Sequence, residues 1–492
     1  MAYDRWFNNV LTIWTAFNGI MNTNVKLEYE TTGPFEFMLR LDANTGLTYT
    51  IKKLSCSSEY SINWGDGTVD TFTSTTIQPK HTYTAIGTYT ISITGSITDL
   101  SFANGTQSSW STYNALYKVL TPFPSTMSSN KDMSYRFCHC NSLVSIPADM
   151  FYNCIAAEDF SYCFCGCTAL TVPAGLFSKN TYALNFSGLF YSCKTGPVSI
   201  PDGLFDFNTR ATNFYRCFAV CQVLQSIPSG LFHYNTEAVN FSNCFYQCYG
   251  LKSIPSGLFD TNTKAEYFDS CFGNCKYITA IPSGLFSNNT AVTTFASCFV
   301  NCSALTGIPS GLFSANTLVT TFASCFNGCS KIAAIPAGLF HNNTAVTSFD
   351  RCFYSCYAIT SIPEGLFDTN IAVTTFTYCF YNCKGLTTAA AFPTMLFENN
   401  TAVTCFDYCF HRSSSSSYGK VPSISMYFSA TEATFTSFWS TGTYSGTLPI
   451  KTTYIYRYYS NGTTTTKSWT EYSKRITSTN GFAIASRGNA PA

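Results

Sequence analysis

A chain of 492 residues leaves room for several domains, or for one domain beside an elongated array. Charged residues make up only 11% of it and the formal net charge is +1, which removes the electrostatic reason to expect nucleic acid or an acidic membrane surface as partner. Abundant Phe, Tyr, Thr, Ser and Asn suit a weakly charged, β-rich structure and argue against disorder over most of the length.

Residues 1–23 carry Trp6, Phe7, Val10, Leu11, Trp14 and Phe17 at roughly helical spacing, so an amphipathic helix is predicted there. Such a helix either packs on the next domain or docks the chain onto the other proteins of a larger assembly. Asn8, Asn9, Thr12, Thr15 and Asn18 interrupt its apolar residues, and it is not expected to act as a signal peptide. No apolar run of the roughly 18 residues needed to cross a bilayer occurs, so no transmembrane segment is expected.

Residues 24–118 alternate polar and apolar side chains between frequent turn residues, the pattern of a small antiparallel β-sandwich. Trp64-Gly65-Asp66-Gly67-Thr68, then His81-Thr82-Tyr83 and Gly87-Thr88-Tyr89-Thr90-Ile91, resemble the signature of polycystic-kidney-disease-type (PKD-like) β-sandwich modules. The resemblance implies that Asp66 and His81 serve the fold; a catalytic pair is the alternative.

Residues 119–412 are periodic. Pro201, Pro228, Pro255, Pro282, Pro309, Pro336 and Pro363 follow one another at 27 residues, and Pro147, Pro173 and Pro393 extend the series with small insertions or deletions. The unit V-x-x-F-x-x-C-F-x-x-C-x-x-L-x-x-I-P-x-G-L-F-x-x-N-T predicts an α/β solenoid of about ten coils, in which each coil buries its apolar face against its neighbours. Phe295, Cys298, Phe299, Cys302 and Leu305 fall on one stripe of a predicted short helix. Leu305 to Ile308 read as a strand of a parallel sheet ending at Pro309, Gly311 as a turn, and Asn316 with Thr317 as a cap for the following helix. Coils spaced like paired strands would make a rod roughly 45 to 50 Å long.

The paired cysteines Cys217 and Cys221, Cys244 and Cys248, Cys271 and Cys275, Cys298 and Cys302, Cys325 and Cys329, Cys352 and Cys356, and Cys379 and Cys383 form a ladder on this repeat. Disulfides between cysteines four apart on one helix face are geometrically awkward, and zinc would want four ligands in one place. Leu189 and Ser413 stand where ladder cysteines belong, which a ligand set would not tolerate. The ladder therefore reads as free thiols that stack on their own copies, and no metal or cofactor is assigned. Metal is least disfavoured in the first coils, where Cys138, His139 and Cys140 lie upstream of Cys163, Cys165 and Cys167.

The F-x-x-C-x-x-L-x-x-I-P element resembles the BspA-like leucine-rich repeats of bacterial surface proteins, in which a WGDG-bearing β segment precedes such coils, as it does here. The likeness spans roughly residues 55–412 and implies a leucine-rich-repeat-like solenoid in a cell-surface or adhesive setting, without naming a ligand. Members on bacteria carry export or lipid-anchor signals, and this sequence is expected to carry neither.

Residues 413–492 open on a Ser-rich hinge and continue as a predicted β module with a hairpin signal at Asn461-Gly462. Lys420, Lys451, Arg457, Lys467, Lys474, Arg475 and Arg487 outnumber Glu432 and Glu471 there. Tyr454, Tyr456, Tyr458 and Trp469 beside Arg457 and Lys467 could stack on sugars or hold an anionic glycan, or could form the module's core or an oligomer contact.

No catalytic constellation emerges. His81, His139, His233, His341 and His411 are scattered, Asp and Glu form no recurring pair, and no phosphate loop or nucleophile elbow occurs, so the chain is not expected to be an enzyme. Outward positions of the predicted strand, Gln225, Lys252, Thr279, Thr306, Ala333 and Thr360, are small or polar, whereas Tyr246, Tyr354 and Tyr381 on the helix side are better suited to contact. Two functional readings follow. One is a phage virion fibre or decoration protein, docked through residues 1–23 on other virion proteins and meeting a host cell-surface glycan or protein through its C-terminal module. The other is a bacterial cell-surface adhesin; a third and plainer option is a purely structural scaffold that binds nothing beyond its own assembly. A homo-oligomer is compatible with a fibre and not required by the repeat.

Overall fold

A computed structural model describes residues 33–411 apart from 74–75, 104–114, 389–390, 394–395 and 398. The expected N-terminal helix with Trp6, Phe7, Val10, Leu11, Trp14 and Phe17, and the expected C-terminal module with Tyr454, Tyr456, Arg457, Tyr458, Lys467 and Trp469, lie outside the described residues.

Alternation at period two makes the first part of the described chain a set of short strands. They are β1 (Phe35–Leu41), β2 (Thr48–Thr50), β3 (Lys53–Cys56), β4 (Tyr60–Asn63), β5 (Val69–Phe72), β6 (Thr76–Ile77), β7 (Lys80–Thr82), β8 (Gly87–Thr94), β9 (Ile97–Ser101) and β10 (Leu116–Val119). They pair antiparallel into a five-stranded sheet ordered β10-β1-β8-β4-β5, a three-stranded sheet ordered β6-β3-β9, and the pair β2-β7. In β1, Phe35, Phe37, Leu39 and Leu41 point inward, and they meet Trp64, Ile91 and Leu100 in one core.

The strand β10 belongs to two structures at once. Its Val119 lies opposite Phe37 of β1, while its Lys118 forms a parallel bridge with Ser145 in the first coil of the repeat. Phe102, just past β9, stacks on Phe137 of that coil at 5.4 Å. Arg136, only 4% exposed, reaches back to Asp99, which Lys53 also holds at 2.5 Å. The β-domain therefore covers the first coil, and one hydrophobic core continues from Phe35 to Phe410.

The repeat departs from the expected architecture in its local geometry. Among the described residues there is no α-helix, and Ser125–Met127 is a short 3₁₀ turn. The F-x-x-C-F-x-x-C run is two β-turns in tandem. The Cys298 N–H donates to the Phe295 carbonyl and the Cys302 N–H to that of Phe299, each at 3.1 Å. The third residue of each turn, Ser297 or Asn301, sits at φ 57°, where an α-helix cannot go. Tandem four-residue turns and a helix place the same side chains on one face, so spacing alone cannot separate them.

What decides is the destination of the backbone groups. The N–H groups of Ser297, Phe299 and Asn301 donate to Ala323, Cys325 and Asn327 of the next coil at 2.8, 2.9 and 2.6 Å. A left-handed non-glycine residue costs about 1–2 kcal/mol, and each inter-coil bond returns about 1 kcal/mol net. Ring stacking tips the balance, because Phe299 lies on Phe326 at 5.7 Å and 5°, and Phe322 on Phe349 at 5.9 Å and 7°.

Two further expectations are corrected. Parallel bridges run through the residue ahead of the first phenylalanine, as in Thr294 with Thr321, from Asp132 and Asp159 to Thr375 and Cys405. The predicted strand Leu305–Ile308 forms no such ladder; there Thr306 donates its N–H at 3.1 Å and its hydroxyl at 3.2 Å to the Thr279 carbonyl. Asn316 caps no helix. It is fully buried, and its Nδ2 donates backward to the carbonyls of Phe286 at 3.1 Å and Asn289 at 2.8 Å. The same rung recurs from Asn180 to Asn400. Gly311 does make the expected turn, at φ 71°, and Leu312 and Phe313 return to the core.

Candidate functional site

The ladder cysteines come first because they are the most numerous reactive groups. All are buried and unbonded to one another, and within a coil the two positions differ in role. The second cysteine donates its thiol to the preceding coil, Cys302 to the Phe272 carbonyl at 3.2 Å and Cys329 to the Phe299 carbonyl at 3.0 Å. That carbonyl already accepts one N–H, so sulfur fills its second lone pair. The first cysteine, such as Cys298, fills space between rings. Burial pushes these thiols up, Cys302 to about 12, which leaves them poor nucleophiles and poor ligands.

In the β-domain, Asp66 and His81 face each other across the β4–β5 turn. His81 Nε2 lies 2.7 Å from Asp66 Oδ2, and the Thr68 hydroxyl donates to Asp66 Oδ1 at 2.6 Å. The Thr68 hydroxyl, with His81 in support, holds the Asp66 carboxyl down at about 2. The imidazole stacks on buried Trp64 at 5.1 Å, and Tyr83 donates its hydroxyl to the Trp64 carbonyl at 3.0 Å. Gly65 closes the arrangement, since a Cβ there would lie 2.4 Å from the Thr90 carbonyl oxygen. Both carboxylate oxygens of Asp66 and the Nε2 of His81 are engaged in holding this turn.

The tyrosines singled out by sequence fall into two places. Tyr354 and Tyr381 stack at 4.7 Å, Tyr378 on Tyr408 at 4.6 Å and Tyr381 on His411 at 5.3 Å, with Arg351 over Tyr378 at 4.8 Å. Tyr246 lies apart from this cluster, beside Gln247. Because the rings cover one another's faces, the cluster offers edges and phenol groups rather than an open stacking surface. Gln225, Lys252, Thr279, Thr306, Ala333 and Thr360 are exposed as expected, and with Lys252 the single charged residue among them they form no charged or aromatic cluster.

The first two coils hold a third arrangement. Of the cysteines near His139, Cys140, Cys163 and Cys167 enter the core, while Cys138 and Cys165 form a separate buried group with Ala103, flanked by Tyr135, Tyr162 and Tyr191. Cys138, His139 and Cys165 each bring a ligating atom within 4.8 Å of the other two. A hydrogen bond from Cys165, aided by His139, holds the Cys138 thiol down at about 6, and the same sulfur pushes His139 up. The sequence signal was present as an extra cysteine off the four-residue spacing, Cys138 in Cys138-His139-Cys140 and Cys165 in Cys163-Phe164-Cys165-Gly166-Cys167. What it lacked was the knowledge that successive coils superimpose these positions.

No helix among the described residues is long and apolar enough to cross a membrane. No protein-family description matches the chain, and no curated protein does. Among solved structures, a chain of the TLR13–ssRNA13 complex is similar at 10% identity and a TM-score of 0.16, covering 55% of this chain and 49% of that one. The likeness spans about half of that protein, and at this score it carries no argument about this one.

Proposed function

We propose that this chain is a non-enzymatic, virion-associated fibre or decoration protein, whose leucine-rich-repeat-like solenoid acts as a stiff spacer behind an adhesive end. The observation that carries the reading is the continuous core from Phe35 to Phe410, closed at each coil joint by main-chain bonds, a buried asparagine and a thiol donor. Bending at one joint would break several of these together, so the element transmits position rather than opening around a substrate. The thiols support assembly in a reducing cytoplasm, because an oxidising compartment would select a disulfide framework from so many cysteines. Residues 1–23 would dock on other virion proteins, and Tyr454, Tyr456, Tyr458 and Trp469 with Arg457 and Lys467 would meet a host glycan or protein.

The BspA-like order of a WGDG segment before the coils favours a second reading, a bacterial cell-surface adhesin. Mass spectrometry of purified particles and of bacterial envelopes separates the two: the chain in particles supports the first, and in envelopes alone overturns it. Removing residues 418–492 should abolish attachment to host cells and leave the array folded. Attachment that survives the removal overturns the assignment of the adhesive end.

A further inference from the structure

We propose that Cys138, His139 and Cys165 form a binding site for one thiophilic metal ion, zinc in the first instance, that clamps the first coil to the second. The argument begins with position. In the tandem-turn frame Cys138 and Cys165 align with Val300, the outer place of the second turn, which other coils fill with Tyr191, Ala219, Tyr246, Gly273, Asn327 or Tyr354. The repeat does not ask for sulfur there. Two consecutive coils nevertheless supply it, and stacking brings the two thiols together outside the continuous core.

His139 completes the set from the left-handed position of its turn, at φ 62°, and is 9% exposed. In the next coil the equivalent residue is Gly166, at φ 70°, and a Cβ on it would sit 2.6 Å from His139 Nδ1. Glycine thus leaves the room that the imidazole occupies. Tyr135 and Tyr162 stack at 5.3 Å beside the group and, with Ala103, screen it from solvent.

The donor set selects the ion. Two thiolates and one imidazole are soft to intermediate ligands, which favours zinc or copper(I) over calcium or magnesium. Tetrahedral zinc, with Zn–S about 2.3 Å and Zn–N about 2.0 Å, sets ligand atoms about 3.5 to 3.8 Å apart. The observed separations, all within 4.8 Å, close to that by small side-chain rotations. Three protein ligands leave one position for water. The ladder thiols cannot compete, being inward, apolar in surroundings and engaged with carbonyls.

The test uses the full chain, purified reduced and stripped of metal by a chelator. Cobalt(II) titration should produce thiolate-to-cobalt charge-transfer and tetrahedral ligand-field bands at one ion per chain, bleached by added zinc. The paired variant Cys138→Ser with Cys165→Ser should lose the bands while keeping every ladder cysteine. His139→Gln should weaken binding at least about tenfold, since even partners of a ligand command that much. Should the paired variant fail to fold, zinc-edge absorption of the loaded wild-type chain decides instead, with a shell of two sulfurs and one nitrogen expected. Three results would each overturn the proposal: bands that persist in the paired variant, a reduced wild-type chain that takes up no cobalt, or a Cys138–Cys165 disulfide in protein isolated with its thiols trapped. Copper(I) binding with zinc excluded would overturn the choice of ion.

Discussion

Replacing Asn316 by Asp changes one atom group in a fully buried rung and isolates what the asparagine ladder contributes. Asn316 Nδ2 donates to Phe286 O and Asn289 O at 3.1 and 2.8 Å, while its Oδ1 is buried without a hydrogen-bond partner. In Asn316→Ala two bonds worth about 1 kcal/mol each are lost, partly offset by removing the unpartnered oxygen, so a net cost of about 1–2 kcal/mol is expected. Asn316→Asp keeps the shape but points a carboxyl at two carbonyl oxygens. The group stays neutral in the fold, and holding a carboxyl of ordinary pKa near 3.9 protonated at pH 7 costs about 1.4 kcal/mol per pH unit, or about 4 kcal/mol. The sign follows: the folded-state pKa lies above the unfolded one, so stability is present below about pH 4 and is lost as pH rises towards neutrality. Urea unfolding of both variants beside wild type at several pH values reads this directly, with Asn342→Asp, which loses one exposed donor to the Ser314 carbonyl, expected to cost about 1 kcal/mol or less as the exposed counterpart. An aspartate variant no worse than the alanine one, or equally damaging at pH 4 and pH 7, would refute the donor role of the ladder.

The two cysteine positions should respond oppositely to serine. At Cys302, which donates to Phe272 O at 3.2 Å, Ser should cost less than Ala; at Cys298, whose thiol finds no acceptor among the described residues, Ala should cost less than Ser, each by about 1 kcal/mol in the same unfolding assay. Gly65→Ala, with φ at 80° and a Cβ 2.4 Å from Thr90 O, should lower stability by at least about 3 kcal/mol, and a thermal melt unchanged from wild type would contradict the requirement for glycine in that turn. Asp66, held down at about 2 chiefly by the Thr68 hydroxyl, gives stability that is complete above about pH 4 and lost as pH falls towards 2. Asp66→Asn should flatten that acid limb; a limb of unchanged steepness would assign it elsewhere.

The repeat, its register and the inward placement of Phe295, Cys298, Phe299 and Cys302 were legible in the sequence, because a period of 27 residues and a strict apolar pattern leave few ways to bury the same face. The Trp64–Thr68 turn was expected only through its resemblance to PKD-like modules, and the contacts of Asp66 with Thr68 and His81 agree with that expectation. The helix was not legible as absent. Helical and tandem-turn backbones present a four-residue apolar rhythm alike, and only the inter-coil hydrogen bonds of Ser297, Phe299 and Asn301, formed with residues 26 positions away, favour the turns. The grouping of Cys138, His139 and Cys165 likewise exists only once coils are stacked. Local pattern determines which side chains are buried; contacts between distant residues determine what the backbone must do to bury them.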